Sequence, residues 1–74
     1  MFKGYDTFRL TRSIPSQTIP VGTLGVVLMV FDGDHREYEV EFPDGKGGNL
    51  DTAPTHTIGE NFMEPYSPDE ENGQ

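Results

Sequence analysis

Cysteine and tryptophan are absent from this 74-residue chain, and lysine and arginine together number only five. Without cysteine, the chain forms no disulfide, has no thiolate nucleophile and offers no cysteine ligands to zinc. Thirteen acidic residues bring the formal net charge to -8 at pH 7, so the chain cannot neutralise a run of nucleic-acid phosphates. We therefore expect no direct binding to DNA or RNA.

Long hydrophobic runs are also missing. No apolar run approaches the roughly 18 residues that a membrane-spanning helix requires, and the first residues lack the basic and then apolar pattern of a secretory signal. These absences predict a cytoplasmic protein with no membrane partner. Leu, Ile, Val and Phe make up 17 of the 74 residues, just above the level at which a charged chain stays disordered. We therefore expect one small folded domain.

Glycine and proline, with nine and six copies, interrupt the chain too often for long helices and favour short strands joined by turns. Alternation of polar and apolar residues over 7–11 predicts a first strand with Phe8 and Leu10 facing inward. The apolar run 26–31 predicts a second strand that is buried on much of both faces. An all-β domain follows from these patterns.

A long loop is predicted between these two strands, because two prolines within 12–22 block both helix and strand hydrogen bonding. We expect Ile14, Ile19 and Val21 to hold this loop against the core. Gly22 and Gly25, which precede the second strand, are interpreted as residues that allow a tight turn and a close approach of the backbone.

The clearest strand is predicted over 37–42, where polar and apolar residues alternate without a break. Its inward side chains are Tyr38, Val40 and Phe42, and its outward side chains are Glu37, Glu39 and Glu41. Turn-forming residues at 32–35 connect it to the preceding strand as a hairpin. The predicted core consists mostly of Phe8, Leu10, Val27, Tyr38, Val40 and Phe42.

The last part of the domain is less regular, and 49–53 and 55–58 allow only two short strands on either side of Pro54. Short strands bury enough surface only if the sheet curls so that its edges are hidden. We therefore predict a small all-β SH3-like barrel of four to five antiparallel strands over residues 1–62. The acidic residues 63–74 are predicted to form a disordered tail.

Three segments of the sequence carry a family-level resemblance. Residues 5–10 (YDTFRL), 19–27 (IPVGTLGVV) and 38–42 (YEVEF) resemble a family of short bacterial and archaeal proteins described only as a domain of unknown function. The same pattern is similar to the SH3-like barrel at the end of nitrile hydratase β subunits and their activator proteins. Members of the short family resemble one half of two-gene pairs, which implies an inhibitor, antitoxin or immunity role.

Acidic residues and a histidine cluster at the predicted hairpin turn, where Asp32, Asp34, His35 and Glu37 could in principle bind a cation. A calcium-binding loop would need a glycine at its sixth position and a glutamate at its twelfth, and neither is present. Turn-forming aspartates on an exposed acidic hairpin explain the same residues. We therefore expect no metal ion and no other cofactor.

The residue types of a nucleophilic triad are present, with His35 or His56, with Ser13, Ser16 or Ser67, and with one of the many carboxylates. None of these serines lies in a Gly-x-Ser-x-Gly elbow, and so small a domain rarely encloses a dry pocket. We therefore expect no enzymatic activity.

Three outward glutamates, Glu37, Glu39 and Glu41, form a predicted surface that we call the acidic stripe. Alternate side chains on a strand face lie about 7 Å apart, and the hairpin turn adds Asp32 and Asp34. A solvated strand face alone would explain these charges. As a partner-binding site, the five carboxylates would attract a basic protein surface. We expect a small, basic, co-encoded protein partner, with an accessory or assembly role in a metalloenzyme as the alternative.

Overall fold

Turn-forming residues divide the chain into short strands in the computed structural model, which describes residues 1–16 and 18–67. In this part of the chain the strands are β1 (Thr7–Leu10), β2 (Leu24–Phe31), β3 (Glu37–Glu41), β4 (His56–Gly59) and β5 (Met63–Pro65). A 3-10 turn, Glu60–Phe62, links β4 to β5. The strands form one antiparallel sheet in the order β4-β3-β2-β1-β5. The prediction of an all-β domain of four to five antiparallel strands is confirmed.

The core is built from the inward side chains of these strands. All six residues that the sequence predicts as core are at most 2% exposed, namely Phe8, Leu10, Val27, Tyr38, Val40 and Phe42. Aromatic rings meet edge to face, with 5.7 Å between the ring centres of Phe8 and Phe42. The remaining buried apolar residues are Phe2, Ile14, Ile19, Ile58 and Met63.

The buried hydroxyl of Tyr38 has hydrogen-bond partners from two directions. It accepts a hydrogen bond from the backbone N–H of Phe2 at 3.2 Å and donates one to Glu60 Oε1 at 3.1 Å. A buried polar group without partners would be costly. These bonds therefore let a tyrosine occupy the core and tie the first residues and the 3-10 turn to β3.

The long loop 12–22 is held against the core as predicted by Ile14 and Ile19, which are 6% and 4% exposed. The same expectation for Val21 is wrong, because this side chain is 56% exposed. Val21 lies in a tight turn with Gly22, whose φ of 99° favours glycine. The turn carries the valine side chain away from the core.

The sheet continues beyond the predicted domain boundary at 62. Met63–Pro65 forms β5, which pairs with β1 so that Met63 lies opposite Leu10. The predicted boundary is wrong because Met63 is 7% exposed and adds apolar surface to the core, and because a short edge strand tolerates proline. The remainder of the predicted tail, 68–74, lies outside the described residues.

Residues 50–53 form bends, so the strand predicted over 49–53 is absent. Asn49 makes one isolated bridge, to Pro43. Gly45 and Gly47, with φ values of 81° and 90°, keep the intervening loop tightly curved, so the pairing does not extend. The strand predicted over 55–58 is confirmed with a shift of one residue, as β4.

Candidate functional site

The acidic stripe lies on the outward face of β3, as the alternation of this strand predicts. The two residues between the glutamates are fully buried, so the glutamates point away from the core. β3 pairs with β2 on one side and with β4 on the other, and the stripe therefore follows a central strand of the sheet. Within the described residues, no ion pair or side-chain hydrogen bond neutralises these three carboxylates.

A β-bulge at Leu28 decides which side chains of β2 stand beside the stripe. Val27 and Met29 pair with consecutive residues of β3, so Leu28 between them is an extra residue without a partner on that strand. Because of this extra residue, the inward and outward positions of β2 are exchanged after Leu28. Val27 is fully buried, whereas Met29 is 52% exposed. The prediction that this strand is buried on much of both faces is therefore wrong.

The outward side chains of β2 form an apolar ridge, which we define as Leu24, Met29 and Phe31. Leu24 is 36% exposed and Phe31 is 41% exposed. Met29 lies opposite Glu39 in the pairing of β2 with β3, and Phe31 lies opposite Glu37. Side chains that are directly opposed on antiparallel strands have Cβ atoms about 4.5–5.5 Å apart. The outer face of the sheet thus carries an apolar row beside an acidic row.

The two aspartates of the hairpin turn are placed differently from the stripe. Asp32 Oδ1 accepts a hydrogen bond from Arg36 Nε at 2.9 Å, so a cation of the same turn offsets its charge. Asp34 is exposed and lines, with Glu37, a shallow groove between the hairpin and the 3-10 turn. The structure therefore brings the three stripe glutamates together, with Asp34 near one end and Asp32 engaged within its own turn.

A second polar cluster joins Ser16, Asp51 and His56, which lie far apart in the sequence. The Ser16 hydroxyl donates a hydrogen bond to Asp51 Oδ2 at 2.6 Å. His56 Nε2 lies 3.2 Å from the same oxygen without the alignment of a hydrogen bond. The hydrogen bond from Ser16, followed by one from the Thr52 backbone N–H, lowers the pKa of Asp51 although partial burial opposes the change.

This cluster does not have the order of a nucleophilic triad. A catalytic serine is hydrogen-bonded to an imidazole, which a carboxylate orients from its other side. Here the carboxylate of Asp51 accepts directly from Ser16 and occupies the central position. The cluster connects the long loop 12–22 to the segment before β4, so its evident role is to hold these two loops together.

Replacing Asp51 with asparagine is expected to weaken the acid dependence of stability. Folding lowers the pKa of Asp51 below its usual value of 3.8. Its charged form therefore stabilises the fold above that pH, and this contribution is lost as the pH falls through the lower folded pKa. In urea unfolding from about pH 2 to about pH 6, the free energy of unfolding should fall less toward low pH for Asp51→Asn than for the wild type. Asp34→Asn removes the same charge from the exposed turn and serves as the control. An equally weakened pH dependence of stability in both variants would contradict the role given to Asp51.

The hairpin cluster does not assemble a cation site. In residues 1–16 and 18–67, no three His, Asp or Glu side chains lie close enough together to hold a metal ion. The same part of the chain has no helix that is long and apolar enough to cross a membrane.

The fold and its outer face define a small all-β domain with an acidic and partly apolar sheet surface. A family model described as Domain of unknown function (DUF4926) matches residues 5–54, which is more than half of the chain. The chain therefore belongs to this family. The matched residues include β1, β2 and β3, and hence both rows of the outer face. Neither the curated proteins nor the solved structures include a match to the chain.

Proposed function

We propose that this protein is a non-enzymatic, cytoplasmic protein-binding module that uses the acidic stripe to bind a basic protein. The observation that carries the proposal is the alignment of Glu37, Glu39 and Glu41 along one central strand, with no neutralising partner among the described residues. A net charge of -8 adds a long-range field of the same sign, which steers a basic partner toward the domain.

The role that suits this surface is that of an antitoxin or immunity-type inhibitor of a small, basic, co-encoded protein. Proteins that act on nucleic acids carry basic surfaces that neutralise phosphates. A linear row of carboxylates offers such a surface the same sign of charge as a phosphate backbone. The inhibitor would therefore compete with nucleic acid for the basic surface of its partner.

We also propose that the sheet curls into an SH3-like barrel. Five antiparallel strands with a 3-10 turn between β4 and β5 support this arrangement, because curling hides the backbone of the two edge strands. The spacing of Gly22, Gly25 and Val27 is similar to that in the barrels of nitrile hydratase β subunits and activators. The alternative function is therefore that of an accessory or assembly domain of a metalloenzyme.

The test compares binding of the neighbouring gene's product to the wild type and to a variant in which all three stripe glutamates are replaced by glutamine. Glutamine keeps the shape of the side chain but removes its charge, so the domain should still fold. Association at low salt should slow by about tenfold or more. Wild-type association should also slow steeply as salt rises, because the Debye length falls from about 10 Å at 0.1 M to about 3 Å at 1 M.

A control with the same change in net charge is the triple variant Asp69→Asn, Glu70→Gln and Glu71→Gln, which leaves the stripe intact. Because this control reduces the net charge equally but keeps the stripe, it should slow association less than the stripe variant does. Identical salt dependence of the association rate for the wild type and the stripe variant would mean that the stripe contributes only to solubility, and would overturn the proposal. A neighbouring gene product that is a metalloenzyme subunit would favour the alternative function.

A further inference from the structure

Charge steering does not explain the apolar ridge. Met29 and Phe31 are 52% and 41% exposed because the bulge at Leu28 turns them out of the core. Bulges are over-represented at sheet edges, at barrel rims and next to active sites, and contiguous exposed apolar patches, unlike single side chains, mark interaction surfaces. A partner surface with apolar side chains would cover the ridge and remove it from water.

We propose that the apolar ridge and the acidic stripe form one docking surface for an amphipathic basic helix of a partner protein. Such a helix carries a row of apolar residues beside a row of lysines or arginines. Its apolar row packs on Met29 and Phe31, and its basic row pairs with the stripe. This inference rests on the proposed function, because it takes the stripe as the charged half of the contact.

Charge complementarity selects this occupant over a second copy of the chain. Phe31 stands opposite Glu37 and Met29 stands opposite Glu39, so any surface that buries the ridge also covers carboxylates. Covered carboxylates require cationic or hydrogen-bonding partners, since an unpaired buried charge is costly. A second copy, with its own net charge of -8, would bring like charges together.

The position of the stripe favours a helix over an added strand. β3 pairs with β2 and β4 on its two sides, so the backbone of this strand is not available for strand addition. Contact must therefore be made through side chains. Residues i and i+4 of a helix are about 6 Å apart along its axis, close to the roughly 7 Å between alternate residues of a strand. Two adjacent rows on one helix can thus match two adjacent rows on the sheet.

The test uses two synthetic peptides of identical composition. In the first, leucines and lysines form two adjacent rows on a helix, and in the second the same residues are scrambled. By fluorescence anisotropy, the wild type should bind the amphipathic peptide about tenfold more tightly than the scrambled one. The variant Met29→Thr/Phe31→Thr should lose that preference. The control Val21→Thr/Leu50→Thr, which changes two exposed apolar residues outside the ridge, should retain it.

A second measurement uses the unaltered protein and therefore does not depend on the folding of a variant. With methionine methyl groups labelled for NMR, the Met29 signal should shift when the amphipathic peptide is added, and the signal of buried Met63 should not. Equal shifts, or a shift of Met63 alone, would contradict docking on the ridge.

The remaining outcomes separate this inference from the proposed function. In one outcome, the wild type binds the two peptides with equal affinity, and only replacement of the stripe glutamates by glutamine abolishes binding. This would overturn the docking surface and leave the acidic binding module intact. Peptide binding that is unchanged by the stripe substitutions would overturn both the docking surface and the proposed function. A concentration-dependent dimer that Met29→Thr/Phe31→Thr dissociates, detected by analytical ultracentrifugation, would identify a second copy as the occupant and overturn the basic helix.

Discussion

Phe8→Ala is expected to reduce the free energy of unfolding by about 3–5 kcal/mol. The Phe8 side chain is fully buried, and its ring lies 5.7 Å from the ring of Phe42 and 6.3 Å from the ring of Phe2, measured between centres. Its truncation would leave a cavity at the centre of the core. Single domains have a total stability of about 5–15 kcal/mol, so this loss is a large share of the total and urea unfolding should show a much lower midpoint.

The matched control is Phe31→Ala, which removes the same atoms from a residue of the apolar ridge that is 41% exposed. Because this residue keeps a large exposed fraction in the folded state, the loss should be smaller, about 1–2 kcal/mol. Comparable losses for the two variants would mean that the inward and outward faces of the sheet are assigned incorrectly.

Gly25→Ala is expected to destabilise the domain by about 1–3 kcal/mol through overpacking. Gly25 lies directly opposite Phe8 in the pairing of β1 with β2. A Cβ atom at position 25 would lie 2.5 Å from Phe8 Cζ and 3.0 Å from the backbone oxygen of Glu41. Gly25 is thus a site of close approach, chiefly by the ring of Phe8 and also by the backbone oxygen of Glu41, whereas the sequence interpretation expected an approach of the backbone.

A double-mutant cycle isolates this contact. Phe8→Leu removes the ring atoms nearest to position 25, so Gly25→Ala should cost less in that background, with a coupling energy of about 0.5–3 kcal/mol. Gly33→Ala serves as the control, because a Cβ there meets no atom within 4 Å. Additive effects of Phe8→Leu and Gly25→Ala in denaturant unfolding would contradict the contact.

The core and the acidic stripe could be predicted because strict alternation leaves only one choice of face. In 37–42, every second residue is apolar, so burying Tyr38 and Val40 places the glutamates outside. Alternation in β1 likewise predicts that Phe8 and Leu10 face inward, and both are fully buried. These are local signals, and they depend on no contact between distant parts of the chain.

The apolar ridge could not be predicted, because the run from Val26 to Phe31 is apolar at every position and has no alternation to read. One-sided exposure arises from the bulge at Leu28, which depends on the pairing with β3. The length of the chain gives a weak indication that one face of this strand is exposed. A domain of this length forms few layers, so a strand that is apolar on both faces has little chance of being covered on both.

Contacts between distant residues account for the other differences. β5 contains Pro65 and a glutamate, a composition typical of a tail, and it becomes a strand only by pairing with β1. The cluster of Ser16, Asp51 and His56 likewise depends on two loops meeting in space. Sequence patterns named two of its members as candidates, Ser16 and His56, but not the carboxylate at its centre.

Amide chemical-shift mapping of the complex with the neighbouring gene's product will show whether the outer face of β2 and β3 is the binding surface that we propose. We expect the shifted amides to concentrate in Leu24–Phe31 and Glu37–Glu41, and the shifts to diminish when the stripe glutamates are replaced by glutamine. Shifts that concentrate in the long loop 12–22 and persist in the stripe variant would contradict it.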